Sequence, residues 1–143
     1  MAFRSFSVQD AAIQESRERV KAALRSSGFV MPNEKIVVNL APGALRKTGS
    51  GFDLPIALGI LAATGQMDAE VVRHALVVGE LSLGGGVRCS AGMLTYQRCA
   101  AGLGLELIAG APDEGFVKIE GLTCKFLERL SHVREPRFID APV

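Results

Sequence analysis

Tryptophan is absent from the 143 residues, tyrosine occurs once, and aromatic residues make up only 6% of the chain. Hydrophobic residues still account for 48% of it, so the core must be built mainly from alanine, valine, leucine and isoleucine. This composition suits a close-packed α/β domain. The longest apolar run, Leu54–Ala63, is about half of what a membrane span needs. The first ten residues also lack the apolar run of a signal peptide.

Cysteine and histidine are too few and too widely spaced to form a recognisable site. Cys89, Cys99 and Cys124 include no C-x-x-C pair, so neither a zinc site nor a disulfide framework is indicated. His74 and His132 have no ligand partners at metal spacing. We therefore expect three reduced thiols in a cytoplasmic protein, with no metal site, no catalytic residue and no cofactor on this chain.

Neither sign of charge dominates, because 16 lysine and arginine residues are balanced by 15 aspartate and glutamate residues. The balance excludes a strong electrostatic case for nucleic acid or an anionic membrane as partner. The length suits one domain. We place this domain at residues 1–133 and interpret residues 134–143 as a loosely held tail.

The stretch from Lys35 to Gly65 is predicted to form a strand, a glycine-rich loop and a buried helix. The strand is Ile36–Leu40, a β-branched run between turn residues. Asp53 is placed to cap the helix, and Gly65 to end it. Ser50, beside the loop glycines, is either an exposed turn serine or a nucleophile at a helix start.

An earlier helix is predicted from the capping box at Ser7–Asp10 to about Ser27. Its inward face consists of small and apolar residues, and Glu15 and Arg19 form an i,i+4 pair on the other face. The outer side is basic through Arg17, Arg19, Lys21 and Arg25. A solvated helix face is the main interpretation, and a weak phosphate-contacting face is the alternative.

Further along the chain, the pattern predicts one strand over Ala75–Leu81, a hairpin at Gly84–Gly86, a helix over Ala91–Leu103 and a strand over Leu105–Ala109. The helix is expected to turn five residues inward: Met93, Leu94, Cys99, Ala100 and Leu103. Leu122–Cys124 is the next candidate strand. An amphipathic last helix is predicted to bury Phe126, Leu127, Leu130 and Val133.

Three stretches resemble one protein family. They are ESRERVKAALRSSGF, NLAPGALRKTGSGFDLPIALGILAATGQ and GELSLGGGVR, and together they resemble the N-terminal domain of the YifB/ComM magnesium-chelatase-like AAA+ proteins. The resemblance implies an α+β fold in α/β layers, similar to the proteolytic domain of Lon and to domain 2 of ribosomal protein S5. It also implies that the opening strands of the family are reduced or absent here, which leaves a sheet edge exposed to pairing.

Lon-type proteases use a Ser–Lys dyad, which makes a peptidase the sharpest enzyme hypothesis. When this sequence is aligned with the Lon motifs, Gly51 falls at the position of the nucleophilic serine, and Ser50 lies one residue before it. Leu94 falls at the position of the dyad lysine. No lysine occurs between Lys47 and Lys118, and a serine without a base is a weak nucleophile. We therefore predict a non-proteolytic domain; a displaced dyad, with His74 or Lys47 as base, is the alternative.

The chain lacks the phosphate-loop motif G-x-x-x-x-G-K-[ST], so it is not expected to bind ATP by that mechanism. The resemblance implies an accessory or interaction domain whose full-length relatives use ATP and Mg to process DNA, including branch migration in natural transformation. Its expected partners are the AAA+ module or other subunits of the family. A second copy is also possible through an edge strand containing Phe3, Phe6 and Val8. DNA contacts through the basic helix together with Arg46 and Lys47 are a third hypothesis.

Overall fold

The computed structural model describes residues 11–32, 51–112, 116–133 and 139–140. The helices are α1 (Ala11–Ser26), α2 (Asp53–Ala63) and α3 (Met93–Leu103). The strands are β1 (Ala75–Val78), β2 (Glu80–Leu81), β3 (Val87–Arg88), β4 (Glu106–Gly110), β5 (Cys124–Leu127) and β6 (Ile139–Asp140). Short 3₁₀ turns cover Ala69–Val71 and Leu130–Val133.

Four of the described strands form a mixed sheet in the order β1-β4-β5-β6. Strand β4 pairs in parallel with β1, Leu76 opposite Leu107, and with β5, Ile108 opposite Lys125. Strand β6 pairs antiparallel with β5, so residues 139–140 of the predicted tail belong to the sheet. The parallel pair β1–β4 needs a crossover connection, and α3 supplies it.

Alternation along the strands divides the core into two layers, because successive side chains of a strand point to opposite faces. Leu107 and Ala109 pack in one apolar cluster with Ala100 of α3. Ile108, between them, packs in the other cluster with the buried residues of α1 and α2. The sheet therefore lies between α1 and α2 on one face and α3 on the other, which confirms the layered α/β class. Within the described ranges, no helix is long and apolar enough to cross a membrane.

Helices α1 and α2 follow their sequence patterns closely. In α1, Val20, Ala23 and Leu24 are buried at helical spacing and Ser16 lies on the same face, as predicted. Helix α2 buries Leu54, Ile56, Ala57, Leu58, Ile60 and Leu61. Its predicted burial on most sides is thus confirmed, and so is the predicted stop, since Gly65 adopts a positive φ of 74°.

The predicted single strand over Ala75–Leu81 is wrong, because the chain changes sheets at Gly79. Strand β1 ends at Val78, and β2 then pairs antiparallel with β3, with Leu81 opposite Val87. The predicted hairpin is confirmed. The chain packs closely against α2 at this point, since a Cβ on Gly79 would lie 3.0 Å from the Leu54 side chain.

Helix α3 turns the predicted face inward only in part, because Met93 and Cys99 are half-buried against the cluster that contains Ala100, but two other predicted residues face solvent. Leu94 and Leu103 are 51% and 52% exposed, so their inward placement is wrong, whereas Ala100 is buried as expected. The buried position that the apolar pattern missed is Gln97. A search for apolar residues passes over glutamine, although a glutamine side chain can be buried when its hydrogen bonds are satisfied inside the fold.

The last predicted helix is also wrong. Phe126 and Leu127 belong to β5, and Leu130 and Val133 lie in a 3₁₀ turn. All four are buried. Apolar residues spaced like this fit either a short buried strand or a helix, and the parallel register with β4 decides for the strand.

Several predictions fall outside the described residues. They concern the strand Ile36–Leu40, the loop with Arg46, Lys47 and Ser50, and the N-terminal residues Phe3, Phe6 and Val8. The domain boundaries at residues 133 and 134 likewise stay predictions.

Candidate functional site

The N-terminal end of α2 is where the sequence places its sharpest chemical hypothesis, and three elements converge there. The amide of Gly79 donates to the carbonyl of Gly51 at 3.0 Å, and the amide of Leu54 donates to the carbonyl of Gly79 at 3.0 Å. These bonds fix the start of α2 against the link between β1 and the β2–β3 hairpin.

Asp53 is the centre of this junction. Its side chain is completely buried and accepts hydrogen bonds from two elements outside its own helix. From α1, Arg19 donates through Nε to Oδ2 at 2.7 Å and through Nη2 to Oδ1 at 3.1 Å, and the Ser16 hydroxyl also donates to Oδ1. From the hairpin, the amide of Leu81 donates to Oδ2 at 3.0 Å. One carboxylate thereby joins α1, α2 and β2.

This geometry corrects two predictions. Asp53 is the first residue of α2 and not its cap; Phe52 precedes it and makes no side-chain capping bond. Arg19 turns inward and does not belong to the outer basic side, with its contact to Glu15 stretched to 4.0 Å. The sequence suggested a local role for each residue, and no local pattern indicates a contact across 34 positions.

The electrostatics of the pair favour a permanently charged arginine. The hydrogen bond to Asp53 raises the pKa of Arg19 above its ordinary value, against the opposing effect of its partial burial. Nearby carboxylates, Glu80 and Glu15, act in the same direction. The bidentate pairing is the strong form of a guanidinium–carboxylate contact.

The junction is better suited to holding the fold than to catalysis. A general base must reach a proton on a substrate, but Asp53 is closed off from solvent and already has four donors. Ser16 is also fully buried, and its hydroxyl donates a hydrogen bond to Asp53. Neither group is placed to meet an external substrate in this arrangement.

Gly51, the position that the resemblance aligns with the Lon nucleophile, lies against Ser90. A Cβ added to Gly51 would be 3.0 Å from the Ser90 hydroxyl oxygen. That oxygen is buried and has no hydrogen-bond partner among the described residues. Sequence reasoning missed Ser90, since it stands in no motif and approaches Gly51 only because the β2–β3 hairpin returns the chain to α2.

Leu94 and His74, two other candidates within the described residues, are not among the groups bonded to Asp53. Leu94, at the lysine position of the resemblance, is a half-exposed aliphatic side chain on α3. His74 is exposed and supplies a backbone carbonyl that accepts from the amide of Glu106 at 3.0 Å. Among the residues that the structure describes, no group of three or more His, Cys, Asp or Glu side chains forms a potential metal site.

Gln97 forms a second buried polar contact that the sequence did not indicate. Its Nε2 donates to the carbonyl of Val117 at 3.0 Å, and its Oε1 accepts from the amide of Ile119 at 2.7 Å. The segment 116–119 has no regular secondary structure. The side-chain amide of Gln97 therefore gives its backbone groups the hydrogen-bond partners that a neighbouring strand would otherwise provide.

The three thiols are all unbridged. Cys124 is buried beneath α3 and the 116–119 segment, in the cluster that contains Phe126. Burial raises the pKa of its thiol above the ordinary value of 9.0, with Lys118 acting weakly in the opposite direction. A raised pKa makes this thiol a poor nucleophile at neutral pH.

Comparison with known proteins identifies the family. The family model described as subunit ChlI of Mg-chelatase matches residues 2–109. YifB of Escherichia coli K12 is 34% identical over 143 residues, covering 92% of this chain and 28% of YifB. Competence protein ComM of Haemophilus influenzae Rd is 43% identical over 86 residues, covering 60% of this chain and 17% of ComM. The chain belongs to the Mg-chelatase-like AAA+ family that includes YifB and ComM, and it spans little more than a quarter of the length of YifB.

Proposed function

We propose that this chain is a non-catalytic, Lon-like accessory domain that works as an interaction module for an AAA+ partner of its own family. The observation that carries the proposal is the Asp53 junction. The resemblance aligns this helix start with the serine-bearing element of Lon-type peptidases; here it has the fully buried carboxylate of Asp53, which joins α1 and the hairpin to α2.

The alternative, a peptidase with a displaced dyad, has less support than the accessory role. The aligned base position holds Leu94, an aliphatic residue, and an aliphatic side chain cannot accept the proton of a serine. Near the helix start, the Ser16 hydroxyl donates to the Asp53 carboxylate, and the Ser90 hydroxyl has no hydrogen-bond partner among the described residues that could act as its base.

The relatives suggest the process in which such a domain takes part. ComM is a competence protein by name, and the family resemblance implies ATP-driven work on DNA in natural transformation. We infer that the domain acts in the cytoplasm and helps to assemble or orient the ATPase module, which supplies ATP hydrolysis. Pairing of two copies through the residues before α1 is a further prediction of the same proposal.

Two measurements test the accessory role. In the first, the chain is incubated with fluorescent casein and with a peptide mixture, beside a Ser50→Ala variant. We expect both proteins to match the buffer blank; turnover that disappears in Ser50→Ala would establish the peptidase instead. In the second, the chain is titrated by calorimetry onto the isolated AAA+ module of Escherichia coli YifB. Saturable binding is expected, and no heat at 100 µM-scale concentrations, roughly the weakest affinity useful for a transient complex, would refute an AAA+ partner.

A further inference from the structure

One flank of α3 is exposed and nearly uncharged. Leu94, Arg98 and Ala101 are spaced i, i+4 and i+7, so they lie within an arc of about 60° on one side of the helix. All three are exposed, Leu94 by 51%, and Arg98 is the one charged residue in the sequence of α3. A surface helix normally has charged and polar residues on its outward side. The composition of this flank is therefore typical of a face that another protein covers.

The irregular segment 116–119 extends the same flank. Its backbone is bonded to the Gln97 side chain at Val117 and Ile119, which holds the segment beside the middle of α3. Val117 is 76% exposed and adds a second large apolar side chain to this surface. Glu120 follows directly and is also exposed. We define the α3 flank by these residues: Leu94, Arg98, Ala101, Val117 and Glu120.

The C-terminal end of the flank has a carboxylate available to a cation. A groove of about 380 Å³ lies there, between the end of α3 and the turn before β5, and it is lined by the carboxylates of Glu106 and Glu120. Glu106 is paired with Lys125 at 3.2 Å, and Lys118 donates to the carbonyl of Leu122 at 2.7 Å. Glu120 forms no ion pair with the cations that the structure describes. The last turn of α3 has no basic residue to offset the negative end of the helix dipole.

Arg98 lacks a partner of the opposite sign. It forms no ion pair with any carboxylate in the described part of the chain. Along α3 it lies about 4.5 Å before Ala101, and Ala101 lines the groove together with Glu120. The flank thus has a cation towards one end, a carboxylate at the other end and a small residue between them. Such a surface is complementary to a second copy of itself turned by 180°, because the rotation exchanges the two charges.

We propose that two copies of this chain associate through their α3 flanks, with the two α3 helices antiparallel. Arg98 of each copy then pairs with Glu120 of the other, and Ala101 at the two-fold axis lets the helices approach closely. The association covers part of the exposed apolar area of Leu94 and Val117, which favours it further. A second copy has both complementary charges at matching positions, whereas an unrelated surface would have to supply each of them separately. The inference is independent of the AAA+ partner and of pairing through the residues before α1, because it concerns a different surface.

The α3 flank is small, so the dimer should be weak. Interfaces below about 1,200 Å² belong to transient complexes, and we expect a dissociation constant of about 100 µM. At low micromolar concentration the chain is then mainly monomeric. The assay is sedimentation velocity on the intact chain from about 5 to 500 µM, at about 50 mM salt, where ion pairs are screened less than at physiological ionic strength.

Charge reversal at the two ends of the flank tests the pairing. Arg98→Glu places carboxylates opposite each other, Glu120→Arg places cations opposite each other, and each variant should dimerise at least about tenfold more weakly than the unaltered chain. In an equimolar mixture, one variant has carboxylates at both positions and the other has cations at both. The mixture should therefore regain association to within about threefold of the unaltered chain.

The matched controls reverse the same charges at exposed positions outside the flank, as Arg17→Glu and Glu128→Arg. Each should change dimerisation less than about twofold. Thermal melts followed by circular dichroism show whether each variant is folded, and the mixture is a second check, because an unfolded variant would not be rescued by the other. Three results would each overturn the proposal: an unaltered chain that stays monomeric at about 500 µM, losses in the flank variants no larger than in the controls, or a mixture that associates no better than either variant alone. Binding to the AAA+ module of YifB is measured separately, and its failure would leave these outcomes unaffected.

Discussion

Arg19 and Asp53 form a two-point contact between α1 and the first residue of α2, with Nε–Oδ2 at 2.7 Å and Nη2–Oδ1 at 3.1 Å. The carboxylate is fully buried, and the arginine side chain is 24% exposed. A buried charge is costly without a partner, so this contact adds a specific polar anchor to the apolar packing of α1 on α2. Because Leu81 bonds to the same carboxylate, the hairpin depends on it too.

Removal of either partner is predicted to destabilise the domain. Asp53→Ala leaves Arg19, Ser16 and the amide of Leu81 without their acceptor, and should lower the free energy of unfolding by about 3 kcal/mol. Arg19→Met retains the other two donors and should cost about 2 kcal/mol. Urea unfolding followed by circular dichroism measures both.

Glu15→Gln is the control for this prediction, since the Glu15–Arg19 contact is long and its glutamate is 73% exposed. It should cost no more than about 0.5 kcal/mol. The double variant Arg19→Met/Asp53→Ala should cost less than the two single losses together, because the residues share one interaction. If Arg19→Met proves as mild as Glu15→Gln, the contact does not anchor α1.

Gln97 is predicted to hold the 116–119 segment on α3. Gln97→Leu removes one donor and one acceptor and leaves the Val117 carbonyl and the Ile119 amide without this partner, at a cost of about 2 kcal/mol. Hydrogen exchange at the Ile119 amide should accelerate more than at the β4 amides. Arg98→Ala, on the exposed side of the same helix, should leave that exchange unchanged. Equal protection of Ile119 in Gln97→Leu and in the unaltered chain would contradict the prediction.

Two glycines are predicted to respond oppositely to alanine. A Cβ on Gly110 would overlap the backbone carbonyl of Arg88, so Gly110→Ala must separate β4 from β3 and should cost about 2 kcal/mol. A Cβ on Gly59, inside α2, meets nothing within 4 Å, so Gly59→Ala should add about 0.5–1 kcal/mol. Thermal melts of the two variants and of the unaltered chain measure both effects. A stabilising effect of Gly110→Ala would show that β3 and β4 are further apart at Gly110 than the structure has them.

The sequence predicted correctly those elements whose structure is determined by their own residues. Helix α2 is apolar along most of its length, and the glycines before Val87 mark a turn, so both elements were correct. Errors arose where distant residues decide the outcome. The predicted strand over Ala75–Leu81 is split at Gly79, because β1 pairs with β4 and β2 pairs with β3. The strand β5 replaces a helix because β4 offers it a parallel partner. At the candidate site the junction was missed for the same reason, since the pairing of Asp53 with Arg19 depends on how α1 and α2 pack together.

The buried thiol of Cys124 is predicted to make stability depend on pH in the alkaline range. Burial raises its pKa in the folded chain above 9.0, so between pH 9 and the folded pKa the folded state retains a proton that the unfolded state loses. The stabilisation is complete below about pH 9 and declines as pH rises through the folded pKa, at up to about 1.4 kcal/mol per pH unit. Urea unfolding at pH 8, 9 and 10 under reducing conditions should show a steeper decline for the unaltered chain than for Cys124→Ala. Leu122→Ala, a volume-reducing change in the same cluster, should lower stability at each pH and keep the slope of the unaltered chain. Equal slopes for the unaltered chain and Cys124→Ala would contradict the prediction.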